Sequence, residues 1–218
     1  GKQCRYDGLS EYIERSLREQ NLLFEVNHTQ ITEKIDGRIF RVSIDSFFQV
    51  NTAQADALYR RIKDLLPDDA ANTILLDLYC GTGSIGLYLA DRVREVIGVE
   101  INQQAIKNAR DNADMNNISN ARFYAQAAER AEYDTLNISR PLIVVLDPPR
   151  QGCAPKLIEK VKSLLPEHII YVSCNPATLA RDLRSFIPEG YTLGSITPVD
   201  MFPWTGHVET VVLMSRIK

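Results

Sequence analysis

The chain has 218 residues, 44% of them apolar, a net charge of −3 and a pI near 5.7. That length builds one substantial domain with an appendage, and that apolar fraction supplies a packed core, so a disordered chain is excluded. The acidic balance argues against a nucleic-acid surface spread over the whole domain and leaves room for a local basic patch. Cys4, Cys80, Cys153 and Cys174 form no C-x-x-C pair and have no histidine at zinc-ligand spacing. Free cytosolic thiols are therefore expected rather than a disulfide scaffold, a metal or an iron–sulfur cluster. No apolar run approaches the roughly 18 to 20 residues of a membrane span, and no signal-peptide pattern is visible. With Gly1 rather than Met at its start, the expectation is a domain cut from a longer protein.

In chain order, Ser10 to Gln20 reads as a short helix with Ser10 as N-cap. From Ile31 to Ile44, Asp36-Gly37 separates two alternating runs, a hairpin signal. Ala53 to Leu66 carries apolar residues at helical spacing before Pro67 breaks it. From Thr73 the pattern becomes strand and helix in alternation. Ile74–Tyr79, Glu95–Glu100, Ala121–Ala125, Leu142–Leu146 and His168–Cys174 read as strands. Ser84–Arg92, Gln103–Asn116, Pro155–Leu164 and Ala177–Ser185 read as helices between or after them. Such alternation predicts an α/β, doubly wound parallel sheet. Tyr191–Val199 and Val208–Met214 close the chain as two strands with no room for a crossover helix, which predicts a terminal antiparallel hairpin at one edge. That ending departs from an ordinary dinucleotide-binding domain and favours a class I S-adenosylmethionine-dependent methyltransferase fold. Residues 1–45 are expected to form an appendage left from a preceding domain, and 46–218 the catalytic domain.

Gly81-x-Gly83-x-x-Gly86 follows the first central strand and opens a helix. Glycines there permit a tight turn and close backbone approach to a ligand, but NAD and other cofactors use the same turn. Glu100 ends the next strand, where a carboxylate can accept from both ribose hydroxyls. Asp77 opens the glycine loop. An acid there suits the cationic amino-acid part of S-adenosylmethionine and would repel a pyrophosphate. Asp147-Pro148-Pro149-Arg150 ends the fourth strand, on the side where ligands bind in such sheets; a rigid capped turn is the plainer alternative.

Cys174, in Ser173-Cys174-Asn175-Pro176 at a strand end, is the candidate nucleophile, and Glu209 in His207-Val208-Glu209 the candidate base. Uracil C5 is a poor nucleophile with a non-acidic proton. A thiolate added at C6 makes C5 an enolate carbon able to take a methyl group, after which a base must remove the C5 proton. Only a few per cent of an ordinary thiol is ionised at neutral pH, so Arg150 and the Asn175 turn are expected to help. Cys80 and Cys153 read as small buried hydrophobes. Gln49 can read a uracil edge through paired hydrogen bonds. His207 reads as an orienting or packing residue. Phe202-Pro203-Trp204 is either a stacking wall for a flipped base or a packed turn.

Ser46-Phe47-Phe48-Gln49-Val50-Asn51, Asp77-Leu78-Tyr79-Cys80-Gly81-Thr82-Gly83, Asp147-Pro148-Pro149-Arg150, Ser173-Cys174-Asn175-Pro176 and His207-Val208-Glu209 occur in this order. In these motifs, from about Ile39 to the C-terminus, the chain resembles the RNA uracil-5-methyltransferases. The resemblance implies Cys174 as nucleophile and Glu209 as base. It implies cofactor contacts from Gln49, Tyr79, Gly81, Gly83, Ser84, Glu100 and Asp147, and substrate contacts from Gln49, Asp147, Arg150 and Asn175. It implies S-adenosylmethionine as methyl donor and RNA as partner, in a cytoplasmic monomer away from membranes. Val50 and the Asp77-Leu78-Tyr79 turn lean toward the 23S ribosomal-RNA branch rather than the transfer-RNA branch. Ribosomal members usually carry an N-terminal oligonucleotide-binding barrel and often a four-cysteine iron–sulfur site, and the resemblance covers the catalytic domain without them. Gln126-Ala127-Ala128-Glu129 departs from the acid that many relatives place after the third strand, and Thr205-Gly206 before His207 is also unusual. The alternatives are a transfer-RNA uridine methyltransferase, an amino-directed nucleic-acid methyltransferase that needs no thiol, and a non-catalytic cofactor- or RNA-binding fragment.

Overall fold

A computed structural model of the chain describes residues 30–43, 46, 48–49, 51–206 and 208–217. Cys4, the helix expected over Ser10–Gln20, Phe47, Val50 and His207 lie outside the described residues. The chain enters as an antiparallel hairpin, β1 (Gln30–Ile35) and β2 (Arg38–Ser43). Its turn residues Asp36 and Gly37 both have positive φ, 46° and 81°. That is the turn whose twist matches paired strands, as the Asp-Gly dipeptide implies. Helix α1 (Thr52–Asp64) follows, with Asn51 as N-cap accepting from the Gln54 N–H.

The sheet proper has seven strands. They are β3 (Ile74–Leu78), β4 (Glu95–Glu100), β5 (Ala121–Ala125), β6 (Leu142–Leu146), β7 (His168–Ser173), β8 (Tyr191–Val199) and β9 (Glu209–Arg216). The helices between them are α2 (Ser84–Leu89), α3 (Gln103–Met115), α4 (Pro155–Ser163) and α5 (Pro176–Phe186). Strand order is β5-β4-β3-β6-β7-β9-β8. The strands β3 to β7 pair in parallel, while β9 runs antiparallel to both β7 and β8. Every residue of β3 and β6 is buried, as expected of central parallel strands covered on both faces.

Alternation along those strands divides the core in two. Leu75, Ile143 and Val145 pack with α1, α2, α3 and the hairpin residues Ile35, Phe40 and Val42. Ile74, Leu76, Leu78, Leu142, Val144 and Leu146 pack with α4 and α5 on the other face. Within the described residues every expected strand and helix from Ile31 onward is present; most ends agree within a residue or two, and the helix expected over Ser84–Arg92 stops at Leu89. Among the described residues, three single-turn 3-10 helices, at Ala70–Asn72, Tyr133–Leu136 and Ile187–Glu189, are too short for periodicity to reveal. Among the described residues no helix is long and apolar enough to cross a membrane.

The hairpin is fastened by an asparagine ladder. Asn116 accepts from the Ile39 N–H (2.8 Å) and donates to the Ile39 carbonyl (2.7 Å). One turn earlier on α3, Asn112 accepts from the Arg41 N–H (2.7 Å) and donates to the Arg41 carbonyl (3.2 Å). Another turn earlier, Asn108 accepts from the Ser43 hydroxyl (3.0 Å) and donates to the Ser46 hydroxyl (3.1 Å). Four helical residues rise about 6 Å, and two strand residues advance about 6.7 Å, so successive amides meet alternate residues of β2. A carboxamide offers one acceptor and two donors, so it satisfies a strand edge as a neighbouring strand would.

Asn112 also donates to the Thr82 carbonyl (3.1 Å), which ties the glycine loop to the same ladder. Replacing Asn112 by Ala strands the Arg41 and Thr82 groups. It is expected to cost about 1–3 kcal/mol, read as a lowered urea midpoint with unchanged slope.

Candidate active site

The sheet is doubly wound from β3 outward, so the crevice between the ends of β3 and β6 is where the chain changes direction and where such folds bind ligands. Asp77 lies in β3 beside this crevice, fully buried, and its Oδ2 accepts from the Gly86 N–H at 3.0 Å. Gly86 is required because a Cβ there would lie 3.0 Å from that carboxylate oxygen and 2.7 Å from Val96. The loop then curls through positive φ at Tyr79 (64°), Gly81 (53°) and Gly83 (78°), and Gly83 caps α2. Glu100, at the end of β4, accepts from the Gly81 N–H (3.3 Å) and the Asn102 N–H (2.8 Å). Its carboxylate keeps lone pairs for further donors. Ser84 accepts from the buried Tyr59 hydroxyl at 2.9 Å.

Across the crevice, Asp147 directly follows β6. The Asp147–Arg150 turn is held down by α5: the Arg150 carbonyl accepts from the Asn175 amide (3.2 Å) and the Thr178 hydroxyl (3.3 Å). Buried Asp182 accepts from the Cys153 N–H (2.8 Å) and the Tyr171 hydroxyl (2.6 Å), and pairs with Arg181. Gly152, at φ 78°, makes the turn possible, since a Cβ would sit 2.6 Å from Asp182 and Arg181.

Cys174 follows β7. Strands β7 and β9 pair Ser173 with Thr210, so one step further the register sets Cys174 opposite Glu209. On its other side Glu209 pairs with Val199 of β8. Only an antiparallel β9 brings its first residue to the edge where the parallel strands end. Cys174 is half-buried, whereas Glu209 is 5% exposed.

The electrostatics are those of neighbouring, largely buried acids. Burial, then Glu209 and Asp77, raise Asp147 to about 8. Burial raises Asp77 to about 7, against the Gly86 hydrogen bond, with Glu100 adding to the rise. Burial raises Glu209 as well. Burial, Glu209 and Asp147 also push the Cys174 thiol up, and the Arg150 guanidinium opposes them more weakly. Arg150 thus acts in the expected direction without winning. Asn175 is committed elsewhere: its oxygen caps α5 by accepting from Ala177 (3.1 Å), and its nitrogen donates to Arg150. Cys80 and Cys153 are buried, as expected.

Three buried side-chain atoms among the described residues have no hydrogen-bond partner: Gln49 Oε1, Asp77 Oδ1 and Thr82 Oγ1. Asp77 and Thr82 belong to the glycine loop region, and Gln49 is a residue singled out above for the base and cofactor. Acceptors left over beside acids of raised pKa fit a ligand carrying ammonium and sulfonium groups. A pyrophosphate fits poorly, since it would add negative charge. Thr82, Tyr59 and the asparagines of α3 were not marked as site residues in the sequence. The recurrence of asparagine at 108, 112 and 116 was the one visible signal.

The fold is that of the S-adenosylmethionine-dependent methyltransferases. The family model described as tRNA (Uracil-5-)-methyltransferase matches residues 9–217, and the chain belongs to that family. It is 43% identical over 192 residues to an uncharacterized RNA methyltransferase of Chlorobaculum tepidum, covering 85% of this chain and 39% of the relative. It is 40% identical over 210 residues to one of Clostridium acetobutylicum, covering 96% and 44%. The chain therefore spans about two fifths of the length of these curated relatives. Among solved structures, the Pyrococcus abyssi tRNA (uracil-54, C5)-methyltransferase in complex with S-adenosyl-L-homocysteine superposes with TM-score 0.75 at 35% identity, over 86% of this chain and 44% of that one. The M. jannaschii tRNA m1G37 methyltransferase, at 14% identity and TM-score 0.64 over 90% of this chain and 59% of that one, shares the fold.

Acids whose folded pKa is raised hold protons that the unfolded chain has released, so their contribution is complete below about pH 4 and is lost as pH rises through the folded value. For Asp77 that window runs from its ordinary 3.8 to about 7. Ligand-free protein should therefore lose stability over this range, by at most about 1.4 kcal/mol per pH unit from this group. Asp77→Asn should flatten the slope, which urea unfolding at several pH values measures.

Proposed function

We propose that this chain methylates C5 of a uridine in RNA through a covalent adduct at Cys174, with S-adenosylmethionine as donor. The observation that carries the reading is the strand register that sets Cys174 opposite Glu209 beside Asp147. When bound, S-adenosylmethionine supplies an electrophilic methyl group. Gln49, Asp77, Tyr79, Gly81, Thr82, Gly83, Ser84, Glu100 and Asp147 are the residues that would hold it.

The Cys174 thiolate adds to uracil C6, and the electrons of the C5–C6 double bond move onto the C4 carbonyl oxygen. C5 becomes the nucleophile that takes the methyl group. Glu209 then accepts the C5 proton, the double bond re-forms and the C6–S bond breaks, returning the thiolate. A buried carboxylate of raised pKa suits a base working near neutral pH. Arg150 favours the thiolate, and Asp147 and Gln49 are the residues that would read the base edge.

Ribosomal RNA is the first candidate, on the Asp77-Leu78-Tyr79 turn and Val50. The likeness to an enzyme named for tRNA uracil-54 supports transfer RNA as the second reading. Methylation assays with both RNAs choose between them.

RNA containing 5-fluorouridine, whose C5 fluorine cannot leave as a proton, should trap a denaturation-stable adduct mapped to Cys174. Cys174→Ala should form none, and normal turnover by it would refute the mechanism in favour of an amino-directed reaction. On ordinary RNA, Glu209→Gln should accumulate the covalent species, because addition proceeds while release stalls. Adduct formation should quicken as pH rises through neutrality, since the thiol is raised, and Arg150→Gln should shift that curve to higher pH.

A further inference from the structure

Trp204 is the one tryptophan of the chain, and its side chain is fully exposed at 103%. It therefore buries nothing in the folded chain. Its backbone has φ 71°, the left-handed region that bulky residues rarely occupy. The turn that imposes this is built rather than loose. Thr205 donates both its N–H (3.1 Å) and its hydroxyl (2.7 Å) to the Phe202 carbonyl. Asn51, from the segment carrying Gln49, donates to the Met201 carbonyl at 3.2 Å. Phe202 packs onto the core beneath. Of the two large rings in this turn, one anchors it and the other projects into solvent. Of the two alternatives for Phe202-Pro203-Trp204, a packed turn therefore accounts for Phe202 and leaves Trp204 without a role in folding.

The turn joins Val199 to Glu209, residues paired at the very edge where Cys174 lies. The turn thus leaves and rejoins the sheet at the edge that carries Glu209 and the end of β7. An aromatic face held in the open, with the exposed Arg150 beside Cys174 to meet phosphate, has the chemistry of a single-stranded RNA platform.

Resting on the reading of this site as a uridine methyltransferase, we propose that Trp204 stacks on a nucleobase flanking the target uridine in single-stranded RNA. Stacking is indifferent to base identity, so Trp204 would grip the strand while residues around Cys174 select the uridine.

Because the chain has one tryptophan, its fluorescence reports this contact directly. The 218-residue chain is titrated with a single-stranded oligoribonucleotide holding one uridine, and covalent trapping on its 5-fluorouridine counterpart is scored separately. Quenching of Trp204 is expected on binding. With binding of the variants read instead by the anisotropy of a labelled oligoribonucleotide, Trp204→Ala should weaken binding about ten- to a hundredfold, and Trp204→Phe should recover most of it. Thermal unfolding of both variants should match the parent, since the side chain is exposed. Unchanged fluorescence at saturation, or Trp204→Ala binding as tightly as the parent, would overturn the proposal. If quenching and weakened binding occur without an adduct, the stacking stands and the covalent mechanism fails. If an adduct forms with Trp204 silent, the mechanism stands and the stacking fails.

Discussion

The reversed direction of β9 is the constraint on which the site depends. In a wholly parallel sheet, every strand delivers its last residue to the ligand-binding edge and its first residue to the opposite one. A thiol at the end of β7 and a carboxylate at the start of β9 could then never meet. Running β9 antiparallel between β7 and β8 brings Glu209 to the same edge and, through the Ser173–Thr210 pairing, opposite Cys174. Val211 is buried on one face of the sheet and Val212 and Met214 on the other, so β9 is covered on both sides.

The same placement crowds carboxylates. Asp77 and Glu209 both act on Asp147, and each of the three is held above its ordinary pKa. The ligand-free site is thus electrostatically unrelieved, and it has leftover acceptors at Gln49, Asp77 and Thr82. A ligand bringing positive charge and donors would relieve both conditions at once. Functional sites often accept such a cost to folding in return for differential binding.

Around the crevice, rigidity comes from hydrogen bonds rather than from apolar contact alone. The asparagines of α3 join β2 to the Thr82 carbonyl and to Ser46, so the hairpin, the glycine loop and the segment leading to Gln49 share one scaffold. On the opposite bank, Asp182 and Asn175 clamp the turn after Asp147 to α5. The turn bearing Trp204 is tied to Asn51 in the first of these groups.

Much of this was legible in the amino-acid order. Local periodicity distinguishes buried runs such as Leu142–Leu146 from amphipathic ones such as Gln103–Met115, because burial on two faces and on one leave different patterns. Alternation of the two, with a helix-free ending, sufficed for the fold class. Glycine, proline and acid at strand ends marked Asp77, Gly81, Asp147 and Cys174, since unusual backbone needs unusual residues. What linear order could not contain was distance. That Glu209 faces Cys174 follows from a β-register between segments 35 residues apart in number. That Asn175 is spent as a cap, that Thr82 is left with an unpartnered hydroxyl, and that three asparagines bind a strand edge 65 to 77 residues away are facts of hydrogen-bond geometry. Pattern within a segment is set by which face is buried, and the sequence by itself determined that. Partnership between segments is set by packing, and only the tertiary structure decided it.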